Sequence, residues 1–107
     1  MPWTVETLNA LVDEEIEALP ADMRARLVHL TELIEQIGFE ALPGDSVKHL
    51  EDGLWELRVT GRDGISRVLY VTATGRRMVI LRVFIKKTRK TPLREIEVAR
   101  RRAKEIR

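Results

Sequence analysis

The sequence contains no cysteine, which excludes a disulfide framework and a metal site built on thiolates. Histidine is nearly as scarce: His29 and His49 are far apart in the sequence and too few for a zinc site. No apolar run approaches the roughly 20 residues that a membrane-spanning helix needs, and the first residues lack the basic-then-apolar pattern of a secretory signal. These features predict a cytoplasmic protein that binds no membrane and uses no metal or other cofactor.

The length of 107 residues predicts one domain, spanning residues 1–107, with a single hydrophobic core. The net charge of +2 conceals a division of the chain. Residues 1–46 carry two bases and ten acids, a net of −8, whereas residues 47–107 carry 17 bases and seven acids, a net of +10. So basic a half is expected to attract a polyanion, and its charge is densest between Phe84 and Pro92.

Two helices are predicted in the acidic half, over residues 8–19 and 22–37. Their apolar residues recur at helical spacing and are Leu8, Leu11, Val12, Ile16 and Leu19, followed by Met23, Leu27, Leu30, Ile34 and Ile37. Asp22 is a candidate N-cap of the second helix, and Gly38 is placed for a left-handed C-terminal cap. Because the turn at Pro20 is short, the two helices are expected to form an antiparallel hairpin.

The rest of the chain changes to a period of two, which is typical of strands. Strands are predicted over residues 54–60, 65–73 and 78–85, and the nearly continuous apolar run of the last one indicates a central position. In the first of them Trp55, Leu57 and Val59 alternate with Glu56 and Arg58. Residues 3–7 alternate weakly, as in a short edge strand.

A basic helix is predicted to end the chain, with Thr91 as its N-cap and Pro92 at its first position. A thin apolar seam follows, made of Ile96, Ala99, Ala103 and Ile106. The fold class is therefore α+β: an N-terminal helical hairpin, after the edge strand, packed on an antiparallel sheet of three to four strands. The basic C-terminal helix follows, with the helices grouped on one face.

Several short strings in the second half resemble those of the RelE/ParE toxin superfamily, in particular its phage-derived HigB-like branch. They lie within residues 48–103 and keep the order and spacing of that family. The strings are Lys48-His49-Leu50, Gly53-Leu54-Trp55-Glu56-Leu57-Arg58, Ser66-Arg67-Val68-Leu69-Tyr70-Val71, Phe84-Ile85-Lys86-Lys87-Thr88 and Lys90-Thr91-Pro92, with Glu95, Ala99 and the basic tail.

The resemblance implies the toxin of a type II toxin–antitoxin system with a RelE-like fold. Such toxins commonly cleave messenger RNA in the decoding site of the ribosome and are silenced by a cognate antitoxin. HigB-like toxins pair with a helix-turn-helix antitoxin, and the complex, rather than the toxin alone, binds operator DNA.

Four residues are the candidate catalytic set for such a cleavage: Arg58, Arg67, Lys86 and Lys87. RNA supplies its own nucleophile, so the protein must move protons and stabilise the extra charge on phosphorus. A guanidinium grips two phosphate oxygens at once, and a lysine crowded by other cations loses its proton more easily. Equally, either arginine can be a surface residue paired with a nearby carboxylate, and the lysine run can be a solvated segment.

Five further residues are candidates for substrate binding, namely Lys48, His49, Tyr70, Arg82 and Lys90. Tyr70 can stack on a base or donate a proton, or it can pack in the core. His49 suits acid–base work, or it can be structural.

The chain departs from the family where an acid or base is expected. Residues 88–107 contain neither tyrosine nor histidine, and Arg82 stands where some relatives have a histidine. This leaves the general acid unassigned and keeps two other functions open: a gyrase inhibitor without nuclease activity, and a nucleic-acid-binding partner that cleaves nothing. Under the nuclease hypothesis, Arg67→Ala is expected to relieve growth arrest while leaving the fold intact.

Overall fold

The computed structural model describes residues 2–106. Its elements, in chain order, are β1 (Thr4–Thr7), α1 (Ala10–Glu17), α2 (Ala21–Gln36), a 3₁₀ helix (Phe39–Ala41), β2 (Val47–Glu51), β3 (Leu54–Gly61), β4 (Gly64–Ala73), β5 (Arg77–Lys86) and α3 (Leu93–Ala103). Among these residues no helix is both long and apolar enough to cross a membrane.

The strands form one sheet in the order β1-β5-β4-β3-β2. The α+β class is confirmed, as are the edge strand near the N-terminus and the interior position of β5. The predicted number of three to four strands is wrong, because the described sheet has five. It is also mixed rather than antiparallel, since β1 runs parallel to β5. β2 was not predicted because Lys48 and His49 are both exposed, so it lacks the period-two apolar alternation of a half-buried strand.

The helical hairpin of α1 and α2 covers one face of the sheet. Four residues of the second predicted stripe are buried, as their spacing indicates: Met23, Leu27, Leu30 and Ile34. The predicted burial of two stripe residues is wrong, since Leu11 is 54% exposed and Ile37 is 60% exposed. Leu11 precedes the buried Val12 on the outer side of a short helix. Ile37 follows the last residue of α2, where its φ of −121° has left helical geometry.

Both helices of the hairpin begin differently from the predictions. The side chain of Asn9 accepts a hydrogen bond from the backbone N–H of Val12 at 3.2 Å, so α1 begins at Ala10 rather than at residue 8. Pro20, not Asp22, occupies the N-cap of α2. Asp22 lies in the first turn and accepts the backbone N–H of Arg62 at 2.6 Å.

That bond attaches α2 to the turn between β3 and β4, and it holds the pKa of the Asp22 carboxyl below its usual value. At the other end of α2, Gly38 has a φ of +120° and a ψ of 177°. The predicted positive φ is present, but the left-handed helical cap is wrong because the backbone there is extended.

α3 packs on the opposite face of the sheet, so the prediction that all helices share one face is wrong. Its seam of Ile96, Ala99, Ala103 and Ile106 contacts a second core built on Leu54, Leu69 and Leu81. The central strands are apolar on both sides and need cover on both. A β-bulge contributes, because Leu69 lies opposite Arg82 and Tyr70 opposite Ile80, which leaves Leu81 as the extra residue.

Candidate nucleic-acid-binding site

An open groove of about 570 Å³ lies where the facing ends of β3, β4 and β5 meet the segment that follows β5. Its lining residues are Arg58, Gly64, Ile65, Arg67, Lys86, Lys87, Thr88 and Arg89. Five of the eight are cationic, so the groove is suited to an anion. It also brings together all four residues predicted as the catalytic set.

The strand register explains why these cations converge. Arg58 lies opposite Arg67 across β3 and β4, and Ile65 lies opposite Lys86 across β4 and β5. Cross-strand partners project from the same face of a sheet, and so do residues two apart on one strand, such as Ile65 and Arg67. Arg58, Arg67 and Lys86 therefore project from one face. It is the face that carries α3, because Leu69, two residues after Arg67, packs against that helix. Like charges placed directly opposite each other destabilise a strand pair. A ligand of opposite charge would relieve that repulsion.

Arg67 sits at the floor of the groove beside a buried carboxylate. Arg67 is 5% exposed and Glu56 is 0% exposed. The Nε of Arg67 lies 3.6 Å from the Oε2 of Glu56, close enough for an ion pair but longer than a hydrogen bond. Among residues 2–106, neither of these atoms nor the Nη1 of Arg67 finds a hydrogen-bond partner. The guanidinium therefore keeps donors that protein groups do not use.

The other carboxylate oxygen of Glu56, Oε1, has a hydrogen-bond partner outside the sheet. The hydroxyl of Thr91 donates a hydrogen bond to Glu56 Oε1. The predicted N-cap role of Thr91 is therefore wrong, since Pro92 holds that position in α3 and the hydroxyl is directed at the carboxylate. One buried side chain on β3 thus touches β4 through Arg67 and the segment between β5 and α3 through Thr91.

Burial and neighbouring charges also act on the amine of Lys86. Burial lowers the pKa of Lys86 below that of an ordinary lysine, repulsion from Arg67, Lys48 and Arg58 lowers it further, and the attraction of Glu56 opposes the change. Burial lowers the pKa of Arg67 as well. Arg67 nevertheless remains a cation, because the pKa of a guanidinium starts so high.

Comparison with known protein families shows which family the chain belongs to. The family model described as Phage derived protein Gp49-like (DUF891) matches residues 14–104. The chain belongs to this family. Among solved structures, the Gp49-like chain is similar to RelE in the archaeal RelE–RelB complex from Pyrococcus horikoshii OT3, with a TM-score of 0.58 and 23% identity. The match covers 81% of this chain and 98% of that chain.

At that identity the structural likeness shows a shared fold. The family match confirms the phage-derived family, and the structural match confirms the RelE-like fold, that the sequence resemblance implies. A comparison with curated proteins finds no match.

Two more of the predicted binding residues of this Gp49-like protein lie near the groove in sequence or register. Lys48 is exposed on β2 directly opposite Glu56 and acts electrostatically on Lys86. Lys90 is exposed in the segment after β5, where its carbonyl accepts the hydroxyl of Thr88 at 2.8 Å. Both extend the cationic surface beyond the groove, and their role in binding stays a prediction.

His49 and Tyr70 lie on the other face of the sheet, with the helical hairpin. The ring of His49 lies 4.7 Å from that of Trp55. Tyr70 is 2% exposed and stacks on Phe39 with ring centres 5.6 Å apart. Burial raises the pKa of the Tyr70 hydroxyl. These contacts favour the packing alternative for both residues.

Arg82 is also outside the groove lining and is held by two carboxylates. It contacts Glu15 of α1 at 2.6 Å and Glu95 of α3 at 2.8 Å. Arg102 of α3 contacts the same Glu15 oxygen at 2.8 Å. Arg82 therefore joins the layers on the two sides of the sheet.

The sequence analysis did not identify Glu56 or Thr91 as part of the site. The alternation in β3 placed Glu56 on the polar side of the strand, and a nearby carboxylate was considered only as a surface partner of Arg58 or Arg67. That side is buried because α3 and the preceding segment cover it, and a single sequence carries no signal for that placement.

Among residues 2–106, no group of three or more His, Asp or Glu side chains is arranged to hold a metal ion.

Proposed function

We propose that this protein is the toxin of a type II toxin–antitoxin system and acts as a metal-independent, ribosome-dependent messenger RNA endoribonuclease. One observation carries the proposal: Arg58, Arg67, Lys86 and Lys87 meet in one groove. Membership of the Gp49-like family and the RelE-like fold support the same class of protein.

The groove supports cleavage by transesterification. The 2′-oxygen of the ribose loses its proton and attacks the adjacent phosphorus, and the bond from phosphorus to the 5′-oxygen breaks. The products are a 2′,3′-cyclic phosphate and a 5′-hydroxyl that has taken up a proton. Arg58 and Arg67, which both line the groove, hold the non-bridging oxygens and stabilise the extra negative charge of the transition state.

Proton transfer in this proposal rests on the amines. Lys86 has a lowered pKa, so a larger fraction of it is neutral than of an ordinary lysine and can accept the 2′-hydroxyl proton. Lys87, exposed at the rim of the groove, is the donor available to the leaving oxygen. The ribosome orients the message, and a decoding-site group can supplement either transfer.

We assign the protein a cognate helix-turn-helix antitoxin as its partner and place its action in the cytoplasm, where translated messages are found. The similar structure of Pyrococcus horikoshii OT3 is described as a RelE–RelB complex. Operator DNA is contacted through the antitoxin complex.

The test is induced expression in a bacterial host, followed by mapping of new transcript 5′ ends within minutes of induction. Wild type should arrest growth and produce cuts in translated messages at in-frame positions. Arg58→Ala and Lys86→Ala should relieve both effects at equal protein level, because each removes a groove cation. Arg26→Ala, at an exposed site on α2, is the matched control and should cut like wild type.

Arg67→Ala is a poorer test than the sequence indicates. Truncating Arg67 would leave the fully buried Glu56 without its counterion, which typically costs about 3–5 kcal/mol of stability. Loss of arrest in that variant could therefore reflect unfolding.

Arrest of the wild type with intact messages and cleaved DNA trapped on gyrase would contradict the nuclease and select the gyrase inhibitor instead.

A further inference from the structure

We propose that Glu56 is a positioning residue of the cationic groove, holding Arg67 from below and, through Thr91, the segment that carries Lys87, Thr88 and Arg89. This inference rests on the proposed function, because it assigns a role within the same site. It adds a residue that contacts no substrate, since Glu56 is 0% exposed.

The first step of the argument is the cost of burying this carboxylate. A carboxylate removed from water is retained only where partners compensate it. Glu56 receives incomplete compensation, with one hydrogen bond from Thr91 and an ion pair to Arg67 at 3.6 Å. An apolar residue would pack β3 against α3 without that cost. The carboxylate is therefore better explained by what it holds in place.

The second step is the location of its partners. Arg67 comes from the central strand β4, whereas Thr91 ends the segment that leaves β5 at Lys86 and turns into α3. That segment supplies three of the groove's eight lining residues. Besides Thr91, a bond from the Thr88 hydroxyl to the Lys90 carbonyl spans part of the segment. The bond to Glu56 attaches the segment to the sheet, so the two walls of the groove share one anchor.

The third step concerns charge. Four cations surround the carboxylate and one another: Lys48 on β2, Arg58 on β3, Arg67 on β4 and Lys86 on β5. The negative charge of Glu56 raises the pKa of Lys86 against the lowering caused by burial and by the other three. Glu56 thus contacts both walls of the groove and opposes the lowering of the Lys86 pKa.

The experiment separates these two roles with variants that differ by few atoms. Thr91→Val removes the hydroxyl but keeps the charge of Glu56, and Thr91→Ser restores the hydroxyl. Glu56→Gln keeps the shape of the side chain but removes its charge. Thr60→Val, an exposed position on the same strand, is the control. All variants are first checked by thermal unfolding and studied well below their transitions.

Two readouts are used on the full chain. The first is affinity for a 2′-O-methyl oligoadenylate, which cannot be cleaved by attack of a 2′-hydroxyl. The second is the pKa of Lys86, followed by NMR of the lysine amines. We expect Thr91→Val to weaken oligonucleotide binding about tenfold, the scale of a lost hydrogen bond to a charged group, and Thr91→Ser to recover it. We expect Glu56→Gln to lower the pKa of Lys86, and Thr91→Val to leave it unchanged.

A purely structural Glu56 predicts different results. Thr91→Val and Glu56→Gln would then reduce only thermal stability, and the folded variants would keep wild-type affinity and the wild-type pKa of Lys86. Those results would overturn the inference. If the variants behave as expected but wild type cuts no message, the proposed nuclease fails while the positioning role stands. If wild type cuts messages and Thr91→Val cuts them equally well, the positioning role alone fails.

Discussion

At the scale of single residues, the groove concentrates charge that the isolated protein does not neutralise. Arg58 and Arg67 lie directly opposite each other, and Lys86 is one strand away on the same face. The carboxylate of Glu56 is the acidic group that acts on Lys86 against three cations. Such a cluster lowers the stability of the free protein, and a bound phosphate would recover that loss through linkage.

The lowered pKa of Lys86 gives a stability prediction with a defined sign. Between the folded-state pKa of Lys86 and its unfolded value of 10.5, the unfolded chain binds more protons than the folded one. Stability linked to Lys86 therefore rises with pH through that window. Lys86→Met should abolish this rise and should make the protein more stable than wild type at neutral pH, as measured by urea unfolding at a series of pH values.

Lys87→Met is the matched control, since Lys87 is exposed at the neighbouring position. Tyr70 acts in the opposite direction above its ordinary value of 10.0, because burial raises its pKa, but its contribution is common to all three proteins. The difference between wild type and Lys86→Met thus isolates the amine. Parallel curves for these two proteins would show that Lys86 does not titrate abnormally.

At the scale of elements, the ion pairs of Arg82 connect three parts of the chain. Arg82 on β5 bonds to Glu15 on α1 and to Glu95 on α3, and Arg102 on α3 also bonds to Glu15. The side chains of Arg82, Glu15 and Glu95 are 10% to 26% exposed, so solvent screens their charges only in part. The network therefore connects α3 to both β5 and α1.

Arg82→Met tests whether this residue stabilises the fold or binds substrate. We expect a loss of about 2 kcal/mol in the free energy of unfolding, less than for a fully buried pair, because two carboxylates lose their shared cation. Affinity for the oligonucleotide should stay at the wild-type value, since Arg82 does not line the groove. A tenfold loss of affinity in the folded variant would restore the substrate-binding role predicted from the sequence.

Arg100→Met is the comparison for this variant. Arg100 pairs with Glu51 at 2.7 Å, but the two side chains are 35% and 46% exposed. An exposed pair contributes about 1 kcal/mol at most. Arg100→Met should therefore cost less stability than Arg82→Met.

At the scale of the whole molecule, the sequence predicts the elements better than it predicts their arrangement. Period-two and helical spacing located β3, β4, β5 and α2 to within a residue or two. Burial of one strand face or one helix stripe makes apolar residues recur at that element's own period, so the sequence shows it directly. The side of the sheet that α3 covers is a long-range choice and was predicted wrongly. Glu56 shows the consequence, since its place in the alternation was clear but its burial depended on α3.

The same limit applies to the site. Family-like strings identified Arg58, Arg67, Lys86 and Lys87, and the register of β3, β4 and β5 brings them together. Tyr70 and His49 have side chains that suit acid–base work, but strand parity directs them to the opposite face. Thr91 was assigned to a helix cap because that is the local option, whereas its partner Glu56 is 35 residues away.

The division of charge along the chain becomes a division in space. The acidic N-terminal hairpin covers one face of the sheet, and the basic α3 covers the other beside the groove. A polyanion is therefore expected to approach from the α3 side, and its affinity should depend steeply on salt. The slope of that dependence counts the phosphates that the protein neutralises.

For a single-stranded nucleic acid the slope of log affinity against log salt is about −0.7 per neutralised phosphate. If each of Arg58, Arg67, Lys86 and Lys87 neutralises one phosphate, the oligoadenylate should bind with a slope of about −3. Arg58→Gln should make the slope shallower by about 0.7, whereas Arg26→Gln on the acidic hairpin should leave it unchanged. Titrations at four or more salt concentrations measure both slopes. An equal loss of slope in the two variants would mean that the oligonucleotide senses net charge and does not occupy the groove.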